Sequence, residues 1–502
     1  MATIDHLLDS AVSTRPDHPA VIDSEGTLSY AELDLLARQH QAALTAAGVF
    51  AGDRIVVTAL SDRHTVALVF AAARAGVICV PVHLDLQVAQ LVQIAGNAEA
   101  AIVLAQDPSD ELRHAVGGVI DRSTWCAQLP VATTATGPVG TRPEPALLLY
   151  TSGTTSAPKG VVCPHDSILA ATDSIGQVLE YRPEDVVLVR LPLAFDYGLY
   201  QIFLTVAAGA TLVLAGRESD TSLVELIIER EVTVAPLVPS LAQMLLMLTG
   251  GHAVDSRLRL VTNTGARMGE STWRDILAAF PGAHYASMYG MTECKRISIL
   301  HPHELAERPT SVGRPIPGNT VRIVDESGAT LASHEIGDIV VRGRTMMSGY
   351  WQVPLDQQRQ YVEYDGGLEL HTGDQGWLDE EGYLYFSGRD DDIVKRHGIR
   401  VSLTEIEAAA ERIDGVDEAV VLKPGADGRL VLCVVGDRPI GEIRDELTRT
   451  LDPARRPTHI RTIERIPLTR NGKPDRKALD AAVKSTDHKE KNNGHELRAV
   501  AG

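Results

Sequence analysis

A loop rich in hydroxyl groups and glycine carries the clearest chemistry in this sequence. Residues 150–160 read YTSGTTSAPKG and directly follow the apolar run 146–150. Backbone N–H groups, hydroxyls and one lysine can together wrap the oxygens of a polyphosphate, so the segment predicts a phosphate-binding loop after a buried strand. It is not a Walker loop, because its lysine precedes a glycine instead of following one. An ordinary surface turn is the alternative interpretation.

Composition narrows the classes of function. The chain of 502 residues has 47 Lys and Arg against 66 Asp and Glu, a net charge of −19 that would repel a nucleic acid. Its five cysteines are far apart, so neither a disulfide framework nor a CxxC zinc site is indicated. The N-terminus lacks a basic and apolar leader, and no apolar run approaches about 18 residues. We therefore expect a cytoplasmic protein without a membrane span.

The elements that must position the loop follow from the apolar pattern of the chain. Between residues 28 and 105, a helix (31–47) alternates with β-rich runs (54–59 and 76–82), as in a parallel sheet covered by helices. Residues 130–145 are rich in turn formers. Residues 312–388 change to short strands, predicted at 320–324, 338–342 and 382–387, which indicates a β-rich subdomain.

A second, smaller unit follows residues 389–392. The pattern predicts an α+β arrangement with helices 403–413 and 440–451 and strands 419–422, 430–435 and 458–465. The tail is polar and aperiodic, which is typical of disorder. We therefore predict a mixed α/β and α+β protein with an N-terminal domain (1–390), a C-terminal domain (391–484) and a disordered tail (485–502).

Several short motifs accompany the loop in a definite order. They read LSYAEL (28–33), RAGVICVP (74–81), YGMTE (289–293), GDIVVRG (337–343), GYW (349–351), HTGD (371–374), GRDD (388–391) and PLTRNGK (467–473). Together with the loop, they resemble the adenylate-forming superfamily, which contains acyl-CoA synthetases, firefly luciferase and the adenylation domains of nonribosomal peptide synthetases. The resemblance extends from about residue 28 to residue 479.

This resemblance implies both a fold and a reaction. The fold is a large N-terminal region of two αβ sheets and a β-barrel, followed by a small C-terminal domain that rotates between two steps. In the first step a carboxylate and MgATP give an acyl-adenylate and pyrophosphate. In the second, a thiol accepts the acyl group.

The resemblance assigns phosphate and metal contacts to the loop and to the YGMTE motif. Thr292 and Glu293 would bind the α-phosphate and Mg²⁺, because a hard cation must neutralise charge where a carboxylate approaches a polyphosphate. Thr154 would also contribute to the metal site. The alternative for Glu293 is a carboxylate at the start of a helix. The loop residues implied in phosphate binding are Thr151, Ser152, Gly153, Thr154, Thr155 and Lys159.

Adenine and ribose contacts are implied in the same way. A tyrosine ring would stack on adenine. An ionised aspartate can accept hydrogen bonds from both ribose hydroxyls at once, although a turn role is its alternative. The implied residues are Tyr289 with Gly290, Gly265 and Ala266 on the opposite wall, Asp374 at the ribose, and Arg389 near the ribose or a phosphate.

Two residues are implied in the chemistry and motion of the C-terminal domain. Lys473 would bridge the substrate carboxylate and the nucleotide and stabilise charge that develops at the α-phosphorus. Asp391 would be the hinge, because a few backbone dihedrals there can absorb a large rotation. The basic segment 395–400 is either a loop that approaches the thiol channel or a solvated face.

The acid that is activated is indicated by residues 192–203. Asp196 stands where amino-acid-activating relatives pair with the substrate's ammonium group, and a buried carboxylate needs such a cation. The alternative is that Asp196 caps a helix over residues 198–207. Arg296 could hold a second carboxylate or could be structural. The substrate residues predicted are Phe195, Asp196, Tyr197, Tyr200 and Arg296.

We expect an α- or β-amino acid substrate and a thiol acceptor in trans, because no phosphopantetheine-bearing domain follows residue 479. The acceptor is either the phosphopantetheine thiol of a separate carrier protein or coenzyme A. An acidic carrier would need a basic patch, for which Arg455 and Arg456 or residues 395–396 are candidates. The alternatives are an acyl- or aryl-CoA synthetase and a catalytically silent nucleotide sensor. The presence of Lys159, Glu293, Asp374 and Lys473 argues against a silent homologue.

Overall fold

Three sheets of the N-terminal region hold the phosphate loop and its neighbours. The computed structural model describes residues 2–131, 145–151, 158–389, 393–396, 399–424, 429–453, 455–468 and 474–484. In the first of these sheets, neighbouring strands are parallel except for the last two, which are antiparallel. Its strand order is Val119–Asp121, Ile102–Ala105, Arg54–Thr58, Ile78–Val82, Pro145–Thr151 and Lys159–Pro164.

The second sheet is larger and also mostly parallel in its centre. Antiparallel hairpins complete both of its edges. Its strand order is Arg314–Pro315, Cys294–Ile299, His284–Met291, Leu260–Asn263, Val234–Leu237, Val186–Val189, Thr211–Leu214, Pro19–Asp23 and Gly26–Ser29.

Helices cover these two sheets, and local capping fixes where several of them begin. Ser29 and Glu32 form a reciprocal capping box, and Asp62 accepts from the Thr65 N–H. The helices are Asp5–Thr14, Tyr30–Ala46, Arg63–Ala75, Val88–Ala98, Asp110–Ala115, Arg122–Ala127, His165–Leu179, Asp196–Ala208, Leu223–Glu229, Pro239–Thr249 and Glu270–Ala279, with 3₁₀ turns at Arg217–Ser222, Pro302–Glu304 and Leu355–Gln357.

The β-rich subdomain is a curled half-barrel sheet of antiparallel strands. Its strands are Asn319–Val324, Gly337–Gly343, Tyr361–Tyr364, Gly367–Leu378 and Leu384–Arg389. The last strand begins two residues later than predicted, because Gly382 has a φ of +80° and the Asp379 carboxylate accepts the N–H groups of Glu381 and Tyr383. These contacts make residues 379–383 a turn.

The C-terminal unit has a hydrophobic cluster of its own between Val401 and Ile460. Its elements follow the predicted order; both helices begin at the predicted residue, and the other boundaries are unchanged or differ by one to three residues. They are the hairpin Ile393–Arg396 and Ile399–Ser402, the helices Leu403–Glu411 and Ile440–Thr450, and the strands Val416–Leu422, Val431–Gly436 and His459–Thr462. The mixed α/β and α+β class is therefore confirmed.

The predicted domain boundary and the tail cannot be placed on this fold. Residues 390–392 and 485–502 lie outside the described residues. The boundary at 390/391 and the disordered tail therefore stay predictions. None of the helices in the described ranges combines the length and the apolar character that crossing a bilayer requires.

Candidate active site

The phosphate loop joins two antiparallel strands at one edge of the first sheet. Thr151 and Lys159 are partners in the register of these strands, so the chain leaves and re-enters the sheet at the same level. The loop residues Ser152, Gly153, Thr154 and Thr155 lie outside the described residues, and their roles stay predictions. Gly160 is required here, because a Cβ at this position would lie 2.9 Å from Cζ of Tyr150.

Thr292 and Glu293 occupy the turn of a hairpin, not the start of a helix. Strands His284–Met291 and Cys294–Ile299 pair Met291 with Cys294, which leaves these two residues between them. The helix-start interpretation of Glu293 is therefore wrong, and two antiparallel strands are the reason. Gly290 makes the close approach possible, because a Cβ there would lie 2.3 Å from the carbonyl oxygen of Lys295.

A tyrosine that the sequence analysis did not select connects the hairpin to the loop. Tyr350 donates a hydrogen bond from its hydroxyl to Oε1 of the buried Glu293 at 2.5 Å. Nζ of the exposed Lys159 lies 5.3 Å from the centroid of the Tyr350 ring. Burial first, and the Glu293 carboxylate second, raise the pKa of the Tyr350 phenol above its ordinary value. The phenol therefore stays protonated and acts as a donor.

The residues predicted at adenosine lie at adjacent strand ends. Tyr289 donates from its hydroxyl to Oδ2 of Asp374 at 2.6 Å, and both side chains are buried. Gly265, with a φ of +83°, and Ala266 follow strand Leu260–Asn263, which runs parallel to the strand that carries Tyr289. Such carboxyl ends of parallel strands are where ligands bind in open α/β sheets. Asp374 also pairs in register with Arg389. We call Lys159, Tyr289, Glu293 and Asp374 the nucleotide face.

The nucleotide face suits a triphosphate with a hard cation. Among the described residues, Glu293 accepts a side-chain hydrogen bond at Oε1 alone, which leaves Oε2 as an oxygen ligand of the kind that Mg²⁺ prefers. Lys159 is the cation of the described loop segment. The structure thus connects Lys159 to Glu293 through Tyr350, and it joins Asp374 to Tyr289, which lies on the same hairpin as Thr292 and Glu293.

Asp196 begins a helix and does not cap it with its side chain. The helix spans Asp196–Ala208, Phe195 is the residue before it, and no side-chain capping bond forms. The capping interpretation is therefore wrong. Gly198 does not mark the helix start. It allows close packing, because a Cβ there would lie 2.5 Å from the carbonyl oxygen of Pro192. Oδ2 of Asp196 lies 4.0 Å from Nη1 of Arg296, at the limit of an ion pair.

Two consecutive cations lie buried beside Asp196. Arg296 is 4% exposed, its Cζ lies 5.0 Å from the centroid of the Tyr197 ring, and its Nη1 donates to the Lys295 carbonyl. Lys295 is 1% exposed, and its Nζ lies 5.4 Å from the centroid of the Tyr200 ring. Within the described ranges, Nζ of Lys295 and Nε of Arg296 have no partner at hydrogen-bond geometry, and the neighbour that interacts with the Lys295 ammonium is the buried, neutral thiol of Cys163. Burying a cation without a partner is costly, so a ligand anion is expected here.

Arg296 was predicted as a substrate residue, whereas Lys295 was not. The available signal was a pair of adjacent cations in residues 294–300, CKRISIL, a run otherwise without charge. Every residue of strand Cys294–Ile299 is buried, so both cations are enclosed. We call the set Phe195, Asp196, Tyr197, Tyr200, Lys295 and Arg296 the acid-binding wall.

The residues predicted at the hinge and in the C-terminal domain are not placed by the structure. Lys473 and Asp391 lie outside the described residues, as do the side chains of Arg389 and of residues 395–400. Arg455 forms an ion pair with Asp452, and Arg456 donates to the carbonyl of Leu451. The two candidate arginines of a carrier-binding patch thus make local contacts.

Comparison with known proteins gives a consistent family. AMP-binding enzymes match residues 8–351, and the C-terminal domain of AMP-binding enzymes matches residues 405–473. Phenyloxazoline synthase MbtB of Mycobacterium sp. (strain MCS) is 33% identical over 489 residues, which cover 93% of this chain and 41% of that protein. The chain spans less than half the length of the curated relatives it matches.

Solved structures agree with this assignment. The crystal structure of VinN has a TM-score of 0.70 at 39% identity and covers 77% of this chain and 99% of VinN. A complex of VinN with L-aspartate has a TM-score of 0.69 at 38% identity, covering 77% and 98%. ATP-bound MatB from Rhodopseudomonas palustris has a TM-score of 0.83 at 26% identity, covering 96% and 99%.

The family match extends over more than half of the chain, and the fold and the nucleotide face agree with it. The chain belongs to the adenylate-forming superfamily of AMP-binding enzymes, as an ATP-dependent, AMP-forming ligase that adenylates a carboxylic acid.

Proposed function

We propose that this enzyme activates an amino acid that carries a second carboxylate and passes it to the phosphopantetheine thiol of a separate carrier protein. The observation that supports this substrate class most strongly is the unpartnered, buried ammonium of Lys295 in the acid-binding wall. A substrate carboxylate would compensate its charge. The 38% identical VinN, whose structure contains L-aspartate, adds support, because that ligand has one amine and two carboxylates.

Different residues of the acid-binding wall would bind the different polar groups of such a substrate. Asp196 would pair with the ammonium group, since its carboxylate is 20% exposed and has one distant cation at 4.0 Å. Lys295 and Arg296 would hold the carboxylate that does not react. Lys295 lies on the Tyr200 ring, and the charges of Asp196 and Arg296 both act on the Tyr200 phenol, so these groups surround one side chain. The remaining carboxylate would then face the nucleotide face.

At the nucleotide face, this chain's residues bind and orient. Lys159 and the loop would hold the β- and γ-phosphates, Asp374 the ribose hydroxyls, and Thr292 and Glu293 the α-phosphate and the metal. Mg²⁺, when bound, supplies charge neutralisation at the phosphates. Lys473 would reach the reacting carboxylate and stabilise the charge that develops during attack.

The test is ATP–pyrophosphate exchange with a panel of α-amino, β-amino, dicarboxylic, aryl and fatty acids at equal concentration. We expect the highest exchange with L-aspartate and related amino dicarboxylic acids, because they satisfy both the anion and the cations of the wall. An aryl or fatty acid that exceeds them by ten-fold or more would overturn the substrate assignment and favour an acyl- or aryl-CoA synthetase. The absence of exchange with every acid would favour the silent sensor.

The acceptor needs a separate experiment. The loaded enzyme is offered coenzyme A or phosphopantetheinylated carrier proteins, and thioesters are identified by intact-mass spectrometry. We expect the acyl group on a carrier protein. Faster formation of an acyl-CoA would contradict the acceptor while leaving the substrate class intact.

A further inference from the structure

We infer that Tyr350 is a positioning residue that holds Glu293 and Lys159 apart and in place for a metal–triphosphate. Its hydroxyl lies 2.5 Å from Oε1 of Glu293, and its ring centroid lies 5.3 Å from Nζ of Lys159. One buried side chain therefore contacts a predicted metal ligand through its polar end and a predicted phosphate ligand through its face. The inference depends on the proposed metal role of Glu293.

The backbone around Tyr350 is fixed on both sides. The Val162 N–H donates to the Gly349 carbonyl, and the Trp351 N–H donates to the Gly160 carbonyl, which attaches the segment to the strand that begins at Lys159. The Met347 N–H donates to the carbonyl of Glu293, which attaches it to the YGMTE hairpin. Segment 347–351 therefore ties the phosphate loop strand to the metal hairpin.

A glutamine fixes the orientation of Tyr350 itself. Oε1 of Gln358 accepts the Tyr350 N–H at 2.9 Å, and Nε2 of Gln358 donates to the Val353 carbonyl at 2.7 Å. Gly349 has a φ of +94°, and a Cβ there would lie 2.5 Å from Oε1 of Gln358. Glycine is thus needed next to the tyrosine, and the ring has a defined place.

The two contacts of Tyr350 affect how Glu293 and Lys159 can bind their ligands. The Lys159 ammonium and the Glu293 carboxylate both contact Tyr350, and a direct ion pair between them would engage the carboxylate that the metal needs. The ring face offers the ammonium a cation–π site, and the hydroxyl engages one carboxylate oxygen while Oε2 stays available. Tyr350 therefore keeps both groups ready for their separate ligands.

The experiment compares Tyr350→Phe with Tyr361→Phe. Tyr361 is a suitable control, because its ring lies 6.5 Å from the Tyr350 ring and its buried hydroxyl has no side-chain partner among the described residues. The probe is Mn²⁺ with a non-hydrolysable ATP analogue, and bound Mn²⁺ is measured by electron paramagnetic resonance. AMP affinity without metal is measured by calorimetry, and folding is checked by thermal unfolding.

We expect Tyr350→Phe to weaken Mn²⁺ binding in the ternary complex by about ten-fold, because a hydrogen bond to a charged group is lost. AMP affinity and the unfolding temperature should match those of Tyr361→Phe. Tyr350→Leu, which also removes the ring face, should raise the KM for MgATP a further few-fold at similar kcat.

Equal Mn²⁺ binding by Tyr350→Phe and Tyr361→Phe would overturn the inference. Wild-type enzyme that binds the analogue without taking up Mn²⁺ would also overturn it. A failure of the proposed substrate class would appear in the exchange panel alone and would leave these nucleotide and metal measurements unchanged, so the two failures are distinguishable.

Discussion

The nucleotide face and the acid-binding wall differ in how their charges are matched. On the nucleotide face, each carboxylate already has a phenol donor, Tyr350 for Glu293 and Tyr289 for Asp374. On the acid-binding wall, the buried Arg296 has one distant carboxylate, Asp196 at 4.0 Å, and Nζ of the buried Lys295 has no hydrogen-bond partner among the described residues. The first region is organised before its ligand arrives. The second is electrostatically incomplete without one.

This difference separates general from specific recognition. A pre-formed face reduces the cost of ordering the site for a nucleotide that every turnover uses. An unmatched buried charge instead selects one acid from many, because an acid that lacks the complementary group leaves the charge uncompensated. Under the proposed function, the wall would trade stability of the free enzyme for discrimination between substrates.

The largest expected effect comes from removing the anion of the acid-binding wall. Asp196→Ala should reduce exchange with an amino dicarboxylic acid by about 10³-fold, because the substrate's ammonium group is left without its partner. Steady-state exchange measures this effect, and Asp173→Ala, an exposed aspartate, is the control. If Asp196→Ala keeps at least a tenth of the wild-type exchange rate, Asp196 does not bind the substrate's ammonium group.

Removing the predicted mobile lysine should act on one half-reaction. Lys473→Ala should slow adenylation by roughly 10²–10³-fold, because a donor to developing charge is lost. Transfer from a pre-formed acyl-AMP to the thiol should stay comparatively intact. Single-turnover assays of each half-reaction test this, and an equal loss in both would remove the assignment.

The charge mismatch of the wall predicts an unusual stability effect. Lys295→Met should raise the unfolding free energy of the ligand-free enzyme by about 1–3 kcal/mol, because an unpartnered buried ammonium is replaced by an apolar chain of similar volume. Chemical denaturation measures this change. Arg74→Met is the matched control, since that buried cation pairs with Asp9 and Asp34 and its loss should destabilise the protein. If Lys295→Met and Arg74→Met lower the free energy of unfolding equally, Lys295 is not an uncompensated charge in the free enzyme.

The smallest effect is expected on the nucleotide face. Tyr289→Phe should raise the KM for ATP by about ten-fold with kcat nearly unchanged, because Asp374 loses its donor at 2.6 Å. Initial rates over a range of ATP concentrations give both parameters. Tyr364→Phe, at an exposed ring, serves as the control. A loss confined to kcat would assign Tyr289 to the chemical step instead.

Local patterns predicted the fold class and many individual site residues. The helix Tyr30–Ala46 and the strand Pro145–Thr151 were found close to their predicted positions, because capping groups and apolar runs act over a few residues. The helix at Asp196 was predicted two residues late, since Gly198 lies inside it and packs closely against the carbonyl of Pro192. Such packing brings a helix residue against the chain outside the helix, and a sequence pattern does not reveal that contact.

Contacts across long sequence separations could not be predicted. Glu293 and Tyr350 are 57 residues apart, and Tyr289 and Asp374 are 85 apart. Lys295 was missed for a related reason, since the enclosure of a lysine depends on strands and helices brought together by the whole fold. Motif patterns identify the residue types of a site, whereas partners and burial require the tertiary structure.

The most direct test is the ratio of ATP–pyrophosphate exchange with L-aspartate to exchange with β-alanine, measured in the wild type and in Lys295→Met. β-Alanine keeps the amine and one carboxylate but lacks the second. We expect a ratio of about 10² or more in the wild type and a ratio near one when the ammonium is removed. A ratio that is near one in the wild type, or that the substitution leaves unchanged, would contradict it.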